Sequence, residues 1–190
     1  IGLILQARIN SSRLLGKILL PLKKKTMIEY QLERIKLSKS LDKVILATTN
    51  NSKDDLLVKL LGKKIKIFRG SEHNVLMRYY KAAKKYKLKT IVRCQSDCPL
   101  IDPKIIDDIV KFYKKNSKKY DYVSNINNFL PDGMSCEIFN YKSLEKSFFE
   151  AKKKFDKEHV TPYIWKNPQI FKIFNLKIKK KPKIRARLTL

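Results

Sequence analysis

The chain is poor in histidine, cysteine and acidic residues, and it has no long apolar run. Its three cysteines, Cys94, Cys98 and Cys136, are an odd number without a dense framework. That excludes a disulfide scaffold and fits a reducing compartment. The Cys94/Cys98 spacing is open to a metal site, but His73 and His159 are the only histidines to accompany it. Buried structural thiols are therefore favoured over a zinc site. No apolar stretch is long enough to span a bilayer, and no charged-then-apolar leader with a small-residue cleavage site opens the chain. A cytoplasmic location and no membrane partner are expected. Asp and Glu number 17 against 44 Lys and Arg, for a formal net charge of +27. Such an imbalance suggests nucleic acid or an anionic surface. Here, however, the excess is mostly lysine scattered over the predicted helices, with triplets only at 23–25, 152–154 and 179–181. No basic stripe interleaved with aromatics stands out. A compositional bias of the source is favoured, and no specific nucleic-acid partner is expected. The positive field would still draw in a phosphate-rich substrate.

The 190 residues, 43% hydrophobic with aromatics spread throughout, suffice for one α/β domain with a real core. Apolar runs alternate with amphipathic helical patterns. Strands are expected at Leu3–Leu5, Val44–Thr49, Ile65–Phe68 and Thr90–Cys94. Helices are expected at 55–61, stopped by Gly62, and at 73–86, whose Val75, Leu76, Tyr79, Tyr80 and Ala83 share a face. Another starts at Pro103 with Asp102 as its N-cap. Later, short strands at Tyr122–Val123 and Cys136–Phe139 flank a Pro131-Asp132-Gly133 turn. Helices follow at 143–154 and 157–165, then strands near 170–174 and 184–190. No internal repeat or linker is evident. The rhythm predicts a doubly wound, mostly parallel sheet with helices on both faces, in a single domain spanning 1–190.

Open sheets of this kind bind ligands outside the carboxyl ends of their strands. Three such ends are polar. The first strand empties into a loop carrying Arg8, Asn10, Ser11, Ser12, Arg13, Gly16 and Lys17. Cations, hydroxyls and free backbone N–H groups there suit a polyphosphate, and a merely solvated basic loop is the competing reading. The second end is Arg69-Gly70-Ser71-Glu72. The third is Gln95-Ser96-Asp97-Cys98-Pro99. Asp97 is the best candidate for a magnesium ligand, because a hard cation held by substrate phosphates needs few protein carboxylates. The competing reading of Asp97 is a turn residue ahead of Pro99.

Taken in order, several segments resemble the bacterial cytidylyltransferases of the spore-coat polysaccharide SpsF type, relatives of the enzymes that make CMP-Kdo and CMP-sialic acid. They are Leu5-Gln-Ala-Arg, Ser-Arg-Leu-Leu-Gly-Lys17, Phe68-Arg-Gly-Ser, Val-Leu-Met-Arg-Tyr79 and Gln95-Ser-Asp-Cys-Pro-Leu-Ile-Asp102. Asp121-Tyr-Val-Ser-Asn125, Pro131-Asp-Gly133, Cys136-Glu-Ile-Phe139 and Glu158-His-Val-Thr-Pro-Tyr163 agree. The resemblance implies a Rossmann-like, GT-A-like nucleotidyltransferase fold. It implies transfer of CMP from CTP to an acidic sugar of the 2-keto-3-deoxy class, with release of pyrophosphate, for surface polysaccharide synthesis. By the same resemblance, Arg13 and Lys17 grip the nucleotide phosphates, and with Asp97 they form the catalytic set. Gln6, Ala7, Arg8, Ser12, Gly16, Ser71 and Arg78 border the nucleotide. Gln95, His159 and Tyr163 face the acceptor sugar, with a packing role as the alternative for His159, and Asp97 binds Mg2+. Glu137 reads as an alternating strand residue. A homodimer is possible on the same basis.

Two departures from the family pattern stand out. Leu15 occupies a position usually held by proline, which frees a backbone φ but keeps the glycine and lysine. The family follows Arg-Leu-Thr-Val with a metal-binding aspartate, whereas this sequence stops at Leu190. On that comparison the chain is expected to be truncated at both ends, with its turnover in doubt. Two other functions remain open: a glycosyltransferase using a nucleotide sugar, weakened by the lack of an Asp-x-Asp motif near Asp97, and a basic nucleic-acid-binding protein.

Overall fold

The computed structural model describes residues 1–10, 14–126, 130–177 and 187–189. Ser12 and Arg13, and most of the strand expected at 184–190, lie outside these.

Strand β1 (Gly2–Gln6) runs through the middle of the sheet, with Leu3, Ile4 and Leu5 fully buried. A strand covered on both faces has no use for a polar face, so its residues are apolar in succession. Leu3 and Leu5 point into one helical layer and Ile4 into the other, as the two-residue period of a strand requires. The chain next forms a small hairpin, β2 (Pro21–Leu22) with β3 (Lys25–Thr26), then α1 (Met27–Lys36). Beyond it come β4 (Lys43–Thr49), α2 (Asp55–Leu61), β5 (Lys66–Gly70), α3 (Val75–Lys85), β6 (Thr90–Gln95) and α4 (Pro103–Asn116). The second half holds β7 (Tyr122–Ser124), β8 (Glu137–Asn140), α5 (Tyr141–Glu150), α6 (Lys154–His159), α7 (Pro162–Trp165) and β9 (Ile173–Asn175).

Seven of the strands form one sheet in the order β5-β4-β1-β6-β8-β7-β9, in which β8 runs against its neighbours. Helices α1, α2 and α4 cover one face, through residues such as Ile28, Leu57 and Ile109. Helices α3, α5 and α7 cover the other, through Leu76, Leu144 and Ile164. The doubly wound, mostly parallel sheet expected from the sequence is the fold. No helix among the described residues is long and apolar enough to cross a membrane.

Local departures have local causes. Helix α1 was not expected, yet its sequence carries a start signal. The Thr26 side chain accepts from the Glu29 N–H, and the Glu29 carboxylate accepts from the Thr26 N–H in return, a capping box that satisfies two orphan donors. The helix expected at 157–165 is two pieces, α6 and α7. Between them Val160 has φ +73° and the Thr161 N–H closes onto the His159 carbonyl at 2.9 Å. A fully buried β-branched residue in that conformation is strained. The helix expected at 143–154 stops at Glu150, and the strand expected from 170 begins at Ile173. Of the expected final strand, the described Arg187 makes a single bridge to Asp132.

The Glu29 carboxyl gives a pH-dependent test. The hydrogen bond from Lys64, opposed by burial and aided by those from Thr26, lowers its pKa from 4.5 to about 2. A depressed folded-state pKa contributes stability above the unfolded value, and that stability is lost as pH falls toward the folded one. Glu29→Ala is expected to cost about 1 kcal/mol at neutral pH. The gap from the parent protein should narrow as the pH falls from 4.5 toward 2. Urea denaturation across that range measures it, and a gap independent of pH would refute the assignment.

Candidate active site

Strand order reverses between β1 and β6. The chain leaves β1 toward β4 on one side and later returns to β6 on the other, with Gln6 and Gln95 in register at the carboxyl ends. Loops leaving such a pair diverge and leave a crevice between them. Two confluent lobes lie there, each of about 290 Å³, and they share Arg93, Gln95 and Asp97.

The first lobe is built from the loop after β1, with Gln6, Ala7, Arg8 and Lys17 in its wall. Buried Asp54 anchors this loop by accepting from the Ile9 N–H at 2.8 Å, while Thr48 donates to the same carboxylate. The loop returns through Gly16, whose φ of +68° suits a residue without Cβ, and whose N–H donates to the Ile9 carbonyl at 2.9 Å. The following 3-10 turn, Lys17–Leu19, buries Lys17 and sets its Nζ 3.3 Å from Asp97 Oδ2. Opposite, α3 supplies Arg78, which is buried and donates from one terminal nitrogen to the Ser71 carbonyl at 2.9 Å. Its Nε has no partner among the described residues. Burial lowers its pKa to about 10, so it stays charged at neutral pH. Arg8 donates to the Glu72 carbonyl at 3.2 Å. The Glu72 carboxylate accepts from Asn51 and Asn10, and its pKa is lowered chiefly by the Asn51 hydrogen bond.

Asp97 follows the carboxyl end of β6 and faces both lobes. Its other oxygen accepts from Cys98 Sγ at 3.7 Å. Gln31 of α1 fixes the strand end from behind, donating to the Gln95 carbonyl at 2.6 Å. The second lobe is closed by Asp132, Gly133 and Ser135, and by Arg187 and Thr189. Gly133, at φ +98°, has no room for a Cβ, which would meet the Leu188 carbonyl oxygen at 2.9 Å.

Beneath the shared wall lies a buried charge pair. Arg93 of β6 donates to Glu137 of β8. Glu137 also accepts from the Tyr122 hydroxyl at 2.6 Å and from Thr161 Oγ1 at 2.7 Å. Burial works against the Arg93 charge, but Glu137 beside it outweighs that and raises the arginine pKa.

Of the site residues expected from sequence, Gln6, Ala7, Arg8, Lys17, Arg78, Gln95, Asp97 and His159 converge on the cleft. His159 lies beside Phe155, with ring centroids 4.5 Å apart. Gly16 and Ser71 shape the wall from behind: Ser71 Oγ accepts from the Asn74 N–H, and its carbonyl holds Arg78. Tyr163 does not join them. Its hydroxyl donates to Glu150 at 2.8 Å, and its ring packs against Phe171, because the Val160 corner turns α7 away. Ser12 and Arg13 lie outside the described residues. The three cysteines are free and buried. Burial raises the Cys98 thiol pKa; the hydrogen bond with Cys136, aided by burial, raises that of Cys94. No group of three or more His, Cys, Asp or Glu residues suited to a metal gathers among the described residues.

Sequence reasoning missed Arg93, Glu137, Glu158, Asp132 and Arg187 as cleft residues. Arg93 and Glu137 had a readable signal: one charge of each sign inside an otherwise apolar strand needs a buried counter-charge.

Comparison with known proteins is consistent across most of the chain. The cytidylyltransferase family model matches residues 3–188. An uncharacterized protein of Methanocaldococcus jannaschii is 46% identical over 91% of this chain and 70% of its own length. The spore coat polysaccharide biosynthesis protein SpsF of Bacillus subtilis is 31% identical over 90% of this chain and 72% of its own. The 8-amino-3,8-dideoxy-manno-octulosonate cytidylyltransferase of Shewanella frigidimarina is 27% identical over 86% of this chain and 63% of its own. Among solved structures, a cytidylyltransferase from Leptospira borgpetersenii superposes with a TM-score of 0.94 at 36% identity, covering 100% of this chain and 80% of that one. A CMP:2-keto-3-deoxy-manno-octonic acid synthetase complexed with CTP shares the fold, with a TM-score of 0.72 at 15% identity over 97% of this chain and 92% of that one. A crevice at a strand-order reversal, lined by cations and one shared carboxylate, is thus found in a chain that belongs to the cytidylyltransferase family, a class of nucleotidyltransferases.

Proposed function

We propose that the protein transfers CMP from CTP to a hydroxyl of an acidic sugar of the 2-keto-3-deoxy class, releasing pyrophosphate, in a cytoplasmic step of surface-polysaccharide synthesis. The observation that carries this reading is the two-lobed cleft with Asp97 in both walls. One lobe is rich in cations suited to a triphosphate, and the other is a separate space for an acceptor. The Shewanella and Bacillus relatives, a sugar-acid cytidylyltransferase and a spore coat polysaccharide biosynthesis protein, support the sugar-acid and polysaccharide parts.

Lys17, Arg8 and Arg78 bind the phosphates, with Arg13 and Ser12 as further loop contacts. Gln6 and Ala7 border the nucleotide at the end of β1. Gln95, which lines both lobes, orients the acceptor, and His159 faces it from the wall of the first lobe; Tyr163 is left out of that set by its place beside Glu150. In the reaction the acceptor oxygen bonds to the α-phosphorus as its bond to the bridging oxygen breaks. Pyrophosphate leaves with that electron pair, and the hydroxyl proton is released. The chain contributes mainly by positioning and by fixed positive charge where negative charge is redistributed.

Asp97 would hold Mg2+. The donor set fits: a carboxylate facing both lobes, with Lys17 Nζ 3.3 Å from one oxygen and no protein-only cage, suits a hard cation that takes most of its ligands from phosphates and water. Bound there, the ion supplies charge neutralisation of the triphosphate and polarisation of phosphorus.

Pyrophosphate release from CTP with Mg2+ and a panel of 2-keto-3-deoxy sugar acids tests the reading. Absence of both turnover and CTP binding would sink it. Asp97→Asn is expected to lower kcat by about 100-fold or more, with the CTP Kd changed only a few-fold. Lys17→Ala should weaken CTP binding by about tenfold, as loss of a charge-assisted phosphate contact implies. Calorimetric titration with CTP distinguishes the two effects.

A further inference from the structure

Arg93 occupies an unusual place for a buried cation. It lies within β6, is 7% exposed, and lines both lobes of the cleft. Glu137 is its one ion-pair partner among the described residues, and its Nε is buried with no partner. A guanidinium has five N–H donors in a fixed fork, so a buried one with spare donors at a cleft wall is arranged to meet a planar anion.

The rest of the network fixes its aim. Glu137 accepts from Tyr122 and Thr161 as well as from Arg93. These bonds join β6, β8, β7 and the corner after α6 into one rigid unit. Thr161 adjoins the strained Val160, and His159 precedes it in the cleft wall. One carboxylate therefore sets the positions of both Arg93 and the His159 corner.

The chemistry of the acceptor decides what Arg93 would meet. Arg8, Lys17 and Arg78 already supply cations in the first lobe only. In a 2-keto-3-deoxy acid closed into a ring, the reacting hydroxyl is on the carbon that bears the carboxylate. A cation reading that carboxylate must then sit where the nucleotide and acceptor spaces join, which is where Arg93 is.

We infer that Arg93 is the specificity-determining residue for the acceptor, reading the carboxylate next to the attacking hydroxyl, and that Glu137 is its positioning residue. The inference rests on the sugar-acid reading of the site. It assigns the recognition of one functional group, so it can fail while that reading stands.

The test compares a 2-keto-3-deoxy sugar acid with its carboxamide, in the parent protein and in variants, with the CTP Kd measured alongside. The parent protein is expected to prefer the acid by about 100-fold in kcat/KM. No turnover of any sugar acid by the parent protein would overturn the functional reading together with the inference. The double variant Arg93→Met/Glu137→Gln removes both buried charges together, which avoids leaving either unpaired. It should reduce the acid preference to about threefold or less, with CTP bound as before. A preference that survives in this variant would overturn the assignment and direct attention to Arg187. Loss of CTP affinity in proportion to the loss of turnover would overturn it in favour of a nucleotide-phosphate contact. Arg93→Lys keeps the charge against Glu137 but loses the fork, and serves if the double variant does not fold. It should raise the acceptor KM about tenfold while leaving the CTP Kd unchanged. An acceptor KM that does not move would refute the inference.

Discussion

The candidate site depends on β1 and β6 lying side by side in parallel while their chains depart in opposite directions. Hydrogen bonding holds the two carboxyl ends together, Gln6 against Gln95. Sterics then force the loops that follow them apart. Neither loop is a site alone. The opening loop offers cations, and the loop after β6 offers a carboxylate. Their meeting at the Lys17–Asp97 contact exists because the apolar residues of the two strands fix the register beneath.

The second constraint is electrostatic. The cleft keeps Lys17, Arg78 and Arg93 largely out of water, and each such charge is costly to desolvate. The structure offsets the cost by different means. Lys17 faces Asp97, Arg78 bonds a backbone carbonyl, and Arg93 has a full counter-charge in Glu137. A polyanion entering the first lobe would be met by cations whose hydration has already been given up. That is the physical content of a preorganised site.

Much of this was legible in the sequence. The central strands are mostly apolar runs, and their polar ends mark the loops that carry Arg8, Lys17 and Asp97. Asp102 and Pro103 announced α4, and Asp102 does accept from the Lys104 N–H at 2.9 Å. Part of what was not legible depended on contacts distant in sequence. Arg93 and Glu137 are separated by 44 positions, and their pairing follows from the antiparallel register of β6 with β8. Tyr163 was expected at the acceptor only by resemblance, and in the structure its hydroxyl and ring are taken up by Glu150 and Phe171, beyond the turn at Val160. Helix α1 escaped although Thr26-Met-Ile-Glu29 spells its capping box.

The Val160 corner has a mechanical consequence. A non-glycine residue held at φ +73° stores roughly 1–3 kcal/mol, while complete burial of a valine side chain returns a comparable amount. The corner is therefore a loaded spring whose latch is apolar packing, with the Thr161–Glu137 bond as a second catch. Thr161 thus ties the far wall of the cleft down at two points, its N–H on the His159 carbonyl and its hydroxyl on Glu137.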